Sequence, residues 1–425
     1  MQQLVAECSN TIDLDCVIVM SSPLPGYSSH FGLSNIPFGV ASSKAHPEPA
    51  CATRYEDNVI FLDKLDGVLD GVSDLPKGIF RDHSLNAFAA LPRQTHQAVR
   101  HSLQQILAKD KELSSLSAGA VEPIADVTMH LPVQTTDFTD FSCSLAHVGN
   151  ASEAMTGKRS SPPAFFNMPI GYAGRCSSLD VSGTPVERPM GQYWEGKPHE
   201  SKVVFGPSRK MDYELELGAV VGKPLPRRQR ILASQAEEHI FGYVIVNDWS
   251  ARDVQGLEMI PLGPLNGKNA GTTVSPWIVT VNALAAFKVQ SPARQQDMEP
   301  YLADSGKEAL DIKLKVQVSS SGQEAAQGQT TCESNVAQMY WTLSQCVAHQ
   351  AIGGCGLQTG DLLATGTVSG EGSEAHGCLM EHQRAGTTPL RGYLEDGEIV
   401  TLSGYCGDGV GFGECVATLT AAREL

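Results

Sequence analysis

The sequence predicts a mainly β protein of the α+β class with two domains, and three observations support this. The chain has 425 residues, whereas one domain commonly takes about 100–200 residues. Glycine supplies 41 residues, above the usual ~7%, which favours turns and bulges. Short apolar runs broken by Gly and Pro recur along the chain, whereas helical periodicity is confined to a few segments. We therefore expect sheets to form most of the core.

The N-terminal part, residues 1–120, is predicted to be a small β unit followed by a helix. Residues 1–25 have an irregular pattern. Short apolar runs that predict strands lie at 36–40, 59–62 and 68–69. Residues 95–109 repeat apolar side chains at i, i+4, i+7 and i+8, which predicts an amphipathic helix. Residues 110–120 are typical of a linker, so we place a domain boundary near 120.

The larger part, residues 121–425, is predicted to be mostly β. The predicted strands cover 214–221, 240–246, 277–281, 312–318, 362–364, 399–405 and 415–419. Residues 336–350 form the best helix candidate of this part. No internal repeat is found.

Composition excludes several classes of partner. The net charge of -16 disfavours nucleic acid and anionic membranes, since an acidic surface repels phosphate. No apolar run reaches the ~18–20 residues of a membrane span. The N-terminus lacks the basic start of a secretory signal. With eleven cysteines and no CxxC pair, we expect reduced thiols and a cytoplasmic location.

Glu214 and Glu216 are two carboxylates at i and i+2 of a predicted strand. Residues at this spacing share one face of a strand, about 7 Å apart, while Leu215 and Leu217 take the other. Parallel carboxylates repel unless water or a cation separates them. The pair is therefore either a solvated strand face or a pair of ligands for Mg²⁺ or Ca²⁺.

Two further polar clusters are candidate sites. Asn247–Asp253 follows the apolar run at 240–246, and polar residues after a buried strand either form a site or cap the next helix. The segment 137–140 contains Asp140 and is followed by His147; a lone histidine is more often structural.

Two glycine-rich segments do not support nucleotide binding. Residues 263–268 are one residue short of the phosphate-loop spacing, with Asn269 where Ser or Thr is required. Residues 407–413 lie between two predicted strands, so no helix N-terminus is available for a dinucleotide.

Eight longer motifs resemble the fumarylacetoacetase family and together span the chain. They are SNIPFGV (34–40), MPIGYAGR (168–175), VSGTP (181–185), RPMGQ (188–192), NDWSARD (247–253), PLGP (261–264), GTTVSPW (271–277) and ATGTVSG (364–370). The resemblance implies an N-terminal SH3-like β-barrel, a C-terminal catalytic β-roll domain and a homodimer.

The resemblance also implies a metal centre. The positions that match the family's ligands for Ca²⁺ or Mg²⁺ are Asp140, Glu214, Glu216 and Asp248. Four carboxylates suit such a hard cation. Gly271 and Thr272 match a neighbouring loop for a second cation.

Catalytic roles follow from the same resemblance. His147 matches the general base, and Glu381 matches the carboxylate that orients it. The group that stabilises the oxyanion is matched by Arg252, Gln255 and Lys268. Tyr172 and Thr367 match residues that line the substrate pocket.

Three substrate-binding positions depart from the family pattern. Ser142 and Met259 stand where the family has tyrosines, and Thr156 stands where it has an arginine. These positions contact the far end of the family substrate, including a carboxylate, so the sequence predicts a less polar acyl end. Alternatively, Lys158 or Arg159 takes the place of the arginine that is absent at position 156 and supplies the positive charge.

We therefore expect a metal-dependent hydrolase of a carbon–carbon bond in a β-diketone or β-keto compound, with altered acyl specificity. The alternatives are a true fumarylacetoacetase of tyrosine degradation, a decarboxylase, isomerase or lyase that uses the same metal site, and a non-catalytic binding protein.

Overall fold

The computed structural model describes residues 27–109, 113, 116–320, 323, 327–384 and 389–423. The predictions for residues 1–25, an irregular segment without a secretory signal, fall outside the described residues. Part of the linker predicted at 110–120 does so too. Within the described ranges, no helix is long and apolar enough to cross a membrane.

A five-stranded antiparallel sheet with three helices forms the N-terminal part. In chain order the elements are β1 (Phe38–Ser43), β2 (Ala50–Tyr55), β3 (Asn58–Phe61), α1 (Asp66–Leu69), α2 (Asn86–Ala89), α3 (Arg93–Lys109), β4 (Val121–Pro123) and β5 (Val127–His130). The strand order is β4-β3-β2-β1-β5, with every neighbouring pair antiparallel. The sheet thus continues beyond residue 120, where we placed the domain boundary.

The remaining chain contains most of the strands. They are β6 (Phe138–Ser142), β7 (Ile170–Ala173), β8 (Leu179–Val181), β9 (Val186–Glu187), β10 (Met190–Trp194), β11 (Val203–Pro207), β12 (Met211–Asp212), β13 (Leu215–Val221), β14 (Ile240–Asp248), β15 (Ser250–Ala251), β16 (Thr272–Val274), β17 (Val279–Thr280), β18 (Lys288–Val289), β19 (Ala309–Leu310), β20 (Lys313–Ser319), β21 (Gln329–Asn335), β22 (Leu362–Ala364), β23 (Ile399–Cys406), β24 (Val410–Gly411) and β25 (Cys415–Thr420). The helices are α4 (Leu145–Thr156), α5 (Pro163–Asn167), α6 (Ala233–Ala236), α7 (Arg252–Leu262), α8 (Val281–Leu284) and α9 (Leu343–Ile352).

A central sheet with the order β7-β6-β22-β13-β14-β16-β8 lies between two other layers. One of its faces carries Leu217 and Ile245, which share a core with Leu402 of the sheet β21-β20-β23-β25-β9. The other face carries Val244, which shares a core with Phe38 and the N-terminal part. The protein is therefore a mixed α/β structure made mostly of sheet.

Three of the sequence predictions need correction. Residues 68–69 lie in helix α1 and not in a strand, because the buried side chains are Leu65 and Leu69, four residues apart, which is the spacing of one helix face. The helix predicted at 336–350 begins later, at Leu343, because Thr342 and Gln345 form a capping box there. The strand predicted at 277–281 is confined to Val279–Thr280.

The amphipathic helix predicted at 95–109 is confirmed as α3. Its buried side chains include Val99, Leu103 and Leu107, at the predicted spacing. They pack in the core that the N-terminal part shares with Phe241 of β14. Helix α3 therefore joins the N-terminal part to the central sheet.

Candidate active site and metal centre

Four carboxylates meet at one end of the central sheet. Asp140 lies on β6, Glu216 on β13 with Glu214 just before it, and Asp248 ends β14. Each offers an oxygen, and these oxygens all lie within 4.8 Å of one another. All four side chains are buried.

The alternation around Glu214 is as the sequence predicts. Leu215 and Leu217 pack in the core shared with the second sheet, while Glu214 and Glu216 are only 5% and 0% exposed. The solvated strand face, one of the two interpretations of the sequence, is therefore wrong.

Two positively charged side chains, Lys268 and Arg252, contact this carboxylate cluster. Lys268 Nζ is 2.6 Å from both Glu214 Oε2 and Asp248 Oδ2, and Arg252 Nη1 is 2.7 Å from Glu214 Oε1. Burial alone would raise the pKa of Glu214, but these two cations hold it well below its usual range. Burial would likewise lower the pKa of Lys268, but its carboxylate neighbours raise it.

Among the described residues, none forms a direct ion pair with Asp140 or Glu216, although Lys268 lies close enough to lower the pKa of both. The two carboxylate oxygens of Glu216 have no hydrogen-bond partner among the described residues. The same is true of Oδ1 of Asp140. Burial raises the pKa of both groups well above the usual range, and repulsion from Asp248 raises it further. The four carboxylates carry more negative charge than the side chains of Arg252 and Lys268 can balance. Mg²⁺ and Ca²⁺ prefer hard oxygen donors such as these carboxylates. The donor set fits a divalent cation.

Arg252 is fixed by a residue that the sequence analysis missed. Its Nε donates to Asp212 Oδ2 at 2.9 Å, and its Nη1 donates to Gln255 Oε1 at 3.1 Å. Asp212 also accepts the backbone N–H groups of Leu379 and Met380, at 2.7 and 2.9 Å. The signal in the sequence was the alternation of acidic residues at 212, 214 and 216.

His147 stands in the first turn of α4. Ser144 caps this helix, since its Oγ accepts the N–H of His147 at 3.0 Å. His147 Nδ1 lies 3.0 Å from Glu381 Oε1. Because one ring nitrogen is engaged by a carboxylate, the other is oriented away from it.

Glu381 is a fully buried carboxylate held by several donors. Asn150 Nδ2 donates to its Oε2 at 2.8 Å, and Ser369 Oγ donates to its Oε1 at 2.6 Å. Burial would raise the pKa of Glu381, but His147 and these hydrogen bonds lower it to about 2. Glu381 is thus an ionised, immobile partner for His147. Asn150 and Ser369 were not among the residues identified from the sequence.

A cavity of about 690 Å³ joins the base to the carboxylate cluster. The predicted site residues that line it are Asp140, Ser142, His147, Thr156, Tyr172, Glu214, Arg252, Gln255, Met259, Lys268 and Thr367. Gly366 also lines it, with φ +69°. A Cβ at this glycine would stand 2.0 Å from Phe141 O, so the wall requires glycine here.

Tyr172 and Thr272 both bond to Asp248. Tyr172 Oη donates to Oδ2 and Thr272 Oγ1 donates to Oδ1, each at 2.9 Å. Thr272 therefore supports a member of the carboxylate cluster. Gly271 is buried beside Val186 and does not line the cavity.

The comparisons with known proteins cover both parts of the chain. The family model described as fumarylacetoacetate hydrolase C-terminal matches residues 136–420, and the one described as fumarylacetoacetase N-terminal matches residues 34–132. The fumarylacetoacetases of Rattus norvegicus and Homo sapiens are each 39% identical over 411 residues, which are 93% of this chain and 97% of each relative.

Solved structures show the same fold. Fumarylacetoacetate hydrolase from psychrophilic Exiguobacterium antarcticum aligns with a TM-score of 0.53 at 17% identity, over 91% of this chain and 100% of that one. A 2-hydroxyhepta-2,4-diene-1,7-dioate isomerase from Mycobacterium marinum gives 0.50 at 16% identity, over 92% and 100%. With both family models matched and close relatives aligned along nearly their full length, this chain belongs to the fumarylacetoacetase family of carbon–carbon bond hydrolases.

Proposed function

We propose that this protein is a divalent-cation-dependent hydrolase that cleaves a carbon–carbon bond of a β-diketone, with an acyl specificity different from that of fumarylacetoacetate. One observation carries the proposal. A carboxylate-held histidine and a carboxylate cluster short of positive charge open into the same cavity. The relatives named fumarylacetoacetases support the reaction class.

His147 acts as the general base in this scheme. Its Nδ1 faces Glu381, so Nε2 is the nitrogen that takes a proton from a water molecule in the cavity. The resulting hydroxide attacks the acyl carbonyl. Collapse of the oxyanion then breaks the carbon–carbon bond and releases the acyl half as a carboxylic acid, and the carbanion half takes the proton from His147 and leaves as a ketone. Ionised Glu381 stabilises the positive charge that His147 gains.

Arg252, Gln255 and Lys268 bind the oxyanion formed by this attack. Arg252 Nη2 is buried and has no hydrogen-bond partner, so it is ready to donate. Gln255 uses its carbonyl oxygen to accept from Arg252, which leaves its amide N–H groups for the substrate. One such donor is typically worth about 3 kcal/mol of transition-state stabilisation.

Asp140, Glu214, Glu216 and Asp248 are the residues that would hold Mg²⁺ or Ca²⁺. When bound, the cation supplies Lewis-acid polarisation of the two diketone oxygens and charge stabilisation for the departing carbanion. The chain fixes Asp248 through Lys268, Tyr172 and Thr272, and Lys268 also holds Glu214. Gly271 and Thr272 belong to the loop that we propose for a second cation.

We also propose two domain folds, a homodimer and a cytoplasmic location for this protein. The sheet order β4-β3-β2-β1-β5 supports an SH3-like barrel for the N-terminal part, followed by a β-roll catalytic domain. We take the assembly to be a homodimer, on the family likeness alone. The nine described cysteines are free thiols, which supports a reducing, cytoplasmic location.

A turnover assay tests the proposal. The metal-loaded protein is mixed with fumarylacetoacetate or a related 1,3-diketone, and the loss of diketone absorbance is followed. We expect turnover that stops on chelation and in His147→Ala. Equal turnover by His147→Ala would exclude the base mechanism.

A further inference from the structure

We infer that the acyl arm of the substrate is neutral and apolar, an alkyl or aryl group without a terminal carboxylate. This inference rests on the proposed function, because it concerns the same cavity. It is carried by the charges, the hydrogen bonds and the apolar surface of the cavity wall away from the carboxylate cluster.

Positive charge in the cavity is confined to the carboxylate cluster. Among the described residues that line it, the arginine and lysine side chains are those of Arg252 and Lys268. Both are paired with buried carboxylates, Arg252 with Asp212 and Glu214, and Lys268 with Glu214 and Asp248. These pairings hold both side chains at the carboxylate cluster, where the oxyanion forms, so they are not placed to neutralise an acid group at the far end of a substrate.

Arg159, one candidate for the missing clamp, is directed elsewhere. Its Nη2 pairs with Glu371 at 3.1 Å, and its Nη1 donates to Asn150 Oδ1. Its side chain packs so closely on α4 that a Cβ at Gly149 would stand 2.9 Å from its Nε. Lys158, the other candidate, is exposed and is not among the residues lining the cavity.

Hydroxyl groups near the end of α4 are used within the protein. Thr156 Oγ1 donates to Ser152 O at 2.7 Å. Ser152 Oγ lies 2.8 Å from Ser160 Oγ and donates to Lys158 O at 3.0 Å. These groups have little capacity left for a substrate carboxylate.

The rest of this wall is largely apolar. It is formed by Val148, Ala151, Met155, Pro162, Pro163 and Met259, while Ser142 and Ser161 add hydroxyls but no charge. A carboxylate placed here would gain no counter-charge from the wall, and the apolar side chains of the wall offer it no hydrogen-bond donor. It would also be repelled by the carboxylate cluster. An alkyl or aryl arm gains from burial against the same surface.

A matched pair of substrates tests the inference. One is fumarylacetoacetate and the other is its ester, in which only the fumaryl carboxylate is methylated. We expect kcat/KM for the ester to exceed that for the acid by about tenfold or more, since the acid lacks a charge-assisted partner. A kcat/KM for the acid equal to or above that for the ester would overturn the inference and leave carbon–carbon hydrolysis intact.

Met155 offers a matched pair of variants. It lies at the end of α4, lines the cavity and is 56% exposed, so the fold tolerates substitution there. Met155→Arg supplies a cation and is expected to shift the preference toward the acid by about tenfold. Met155→Gln has similar length without charge and is expected to keep the preference for the ester.

Measuring how tightly the acid and the ester bind tests this inference independently of the proposed function. Equilibrium dissociation constants for both compounds are measured on metal-loaded His147→Ala. Tighter binding of the ester supports the inference, and equal or tighter binding of the acid overturns it, even where the wild type turns over neither. Absence of turnover of both compounds and of a 1,3-diketone with an alkyl acyl arm, by folded and metal-loaded wild type, would contradict the proposed function alone.

Discussion

Glu381 illustrates how a single buried side chain can control the base. It has no exposed surface, yet it is ionised because His147, Asn150 and Ser369 surround it. Its partners come from helix α4 and from residue 369, far apart in the sequence. A buried charge fixed from several directions cannot rotate, so it holds the imidazole in one orientation.

Glu381→Gln should therefore lower activity without affecting the metal centre. The amide keeps the shape but removes the charge that stabilises protonated His147, and we expect kcat to fall by about 10²–10⁴. Steady-state kinetics and cation titration measure the two effects. Glu333→Gln, an exposed residue paired with Lys315, is the matched control. A kcat within twofold of the wild type would contradict this role.

Glu216 differs from Glu381, because no residue that the structure describes donates a hydrogen bond to its carboxylate. Glu216→Gln should stabilise the metal-free protein, since a buried carboxyl without a hydrogen-bond partner must either stay charged or take up a proton at neutral pH, and the neutral amide avoids both costs. It should also weaken Mg²⁺ binding by about 10-fold or more, so the cation would no longer raise the unfolding temperature at the same concentration.

Thermal unfolding with and without Mg²⁺ measures both effects of Glu216→Gln. Glu195→Gln, at the exposed partner of Lys202, is the control. An unchanged response of Glu216→Gln to Mg²⁺ would exclude this residue from the metal centre.

Side chains that bear charge were easier to predict from the sequence than those that support them. The four carboxylates and His147 stood out through spacing and family motifs. Asn150 and Ser369 are neutral residues in long segments, and only the fold brings them to Glu381. Asp212 was accessible in principle, since it continues the alternation of Glu214 and Glu216.

Among the elements, helix α4 both stabilises the fold through its N-cap and positions the base His147. Ser144 begins it as N-cap and Gly157 ends it with φ +74°. Ser144 Oγ also donates to Ser369 O at 2.8 Å. The start of the helix, with His147 in its first turn, is thereby tied to the segment that holds Glu381.

Ser144→Ala should destabilise the protein by about 1–2 kcal/mol, because it removes the cap and leaves the N–H of His147 without its partner. Denaturant unfolding monitored by circular dichroism measures the change. Exposed Ser373→Ala serves as the control. An unfolding midpoint equal to that of the wild type would show that the cap contributes nothing.

Strands and helices were predictable where apolar spacing was strong. Helix α3 and the strands β13, β14 and β23 follow their patterns closely. Strand β2 was missed because its residues include Thr53 and Arg54, yet both are buried. Arg54 is accommodated by stacking on the ring of Phe31, with 3.7 Å to the ring centroid. Such a contact between distant segments leaves no local signal.

At the scale of the whole molecule, the two parts of the chain share one core. His96 Nε2 of α3 donates to Phe88 O at 2.9 Å, and the ring of His96 packs against the ring of Phe241 on β14. Burial lowers the pKa of His96 from 6.5 to about 4, although the contact with Phe88 opposes this shift. The contact between the two parts is thus sensitive to acid.

Stability should fall as the pH decreases from about 6.5 to about 4. In this window the unfolded chain binds a proton at His96 and the folded protein does not, so acid favours unfolding by up to about 3 kcal/mol. His96→Gln should reduce this pH dependence, whereas exposed His83→Gln should not. Denaturant unfolding at pH 7 and pH 4.5 provides the comparison. Equal pH dependence in both variants would contradict the assignment.

Product analysis in ¹⁸O-labelled water distinguishes metal-assisted hydrolysis of a carbon–carbon bond by His147 from other reactions at this site. Metal-loaded protein is incubated with a 1,3-diketone, and the products are identified by mass spectrometry. We predict a carboxylic acid carrying one ¹⁸O atom together with the ketone half in equal amount, and neither product with His147→Ala or after chelation. Release of carbon dioxide or formation of an isomerised diketone would show that the reaction is not hydrolysis, and unchanged product formation by His147→Ala would show that His147 is not the base.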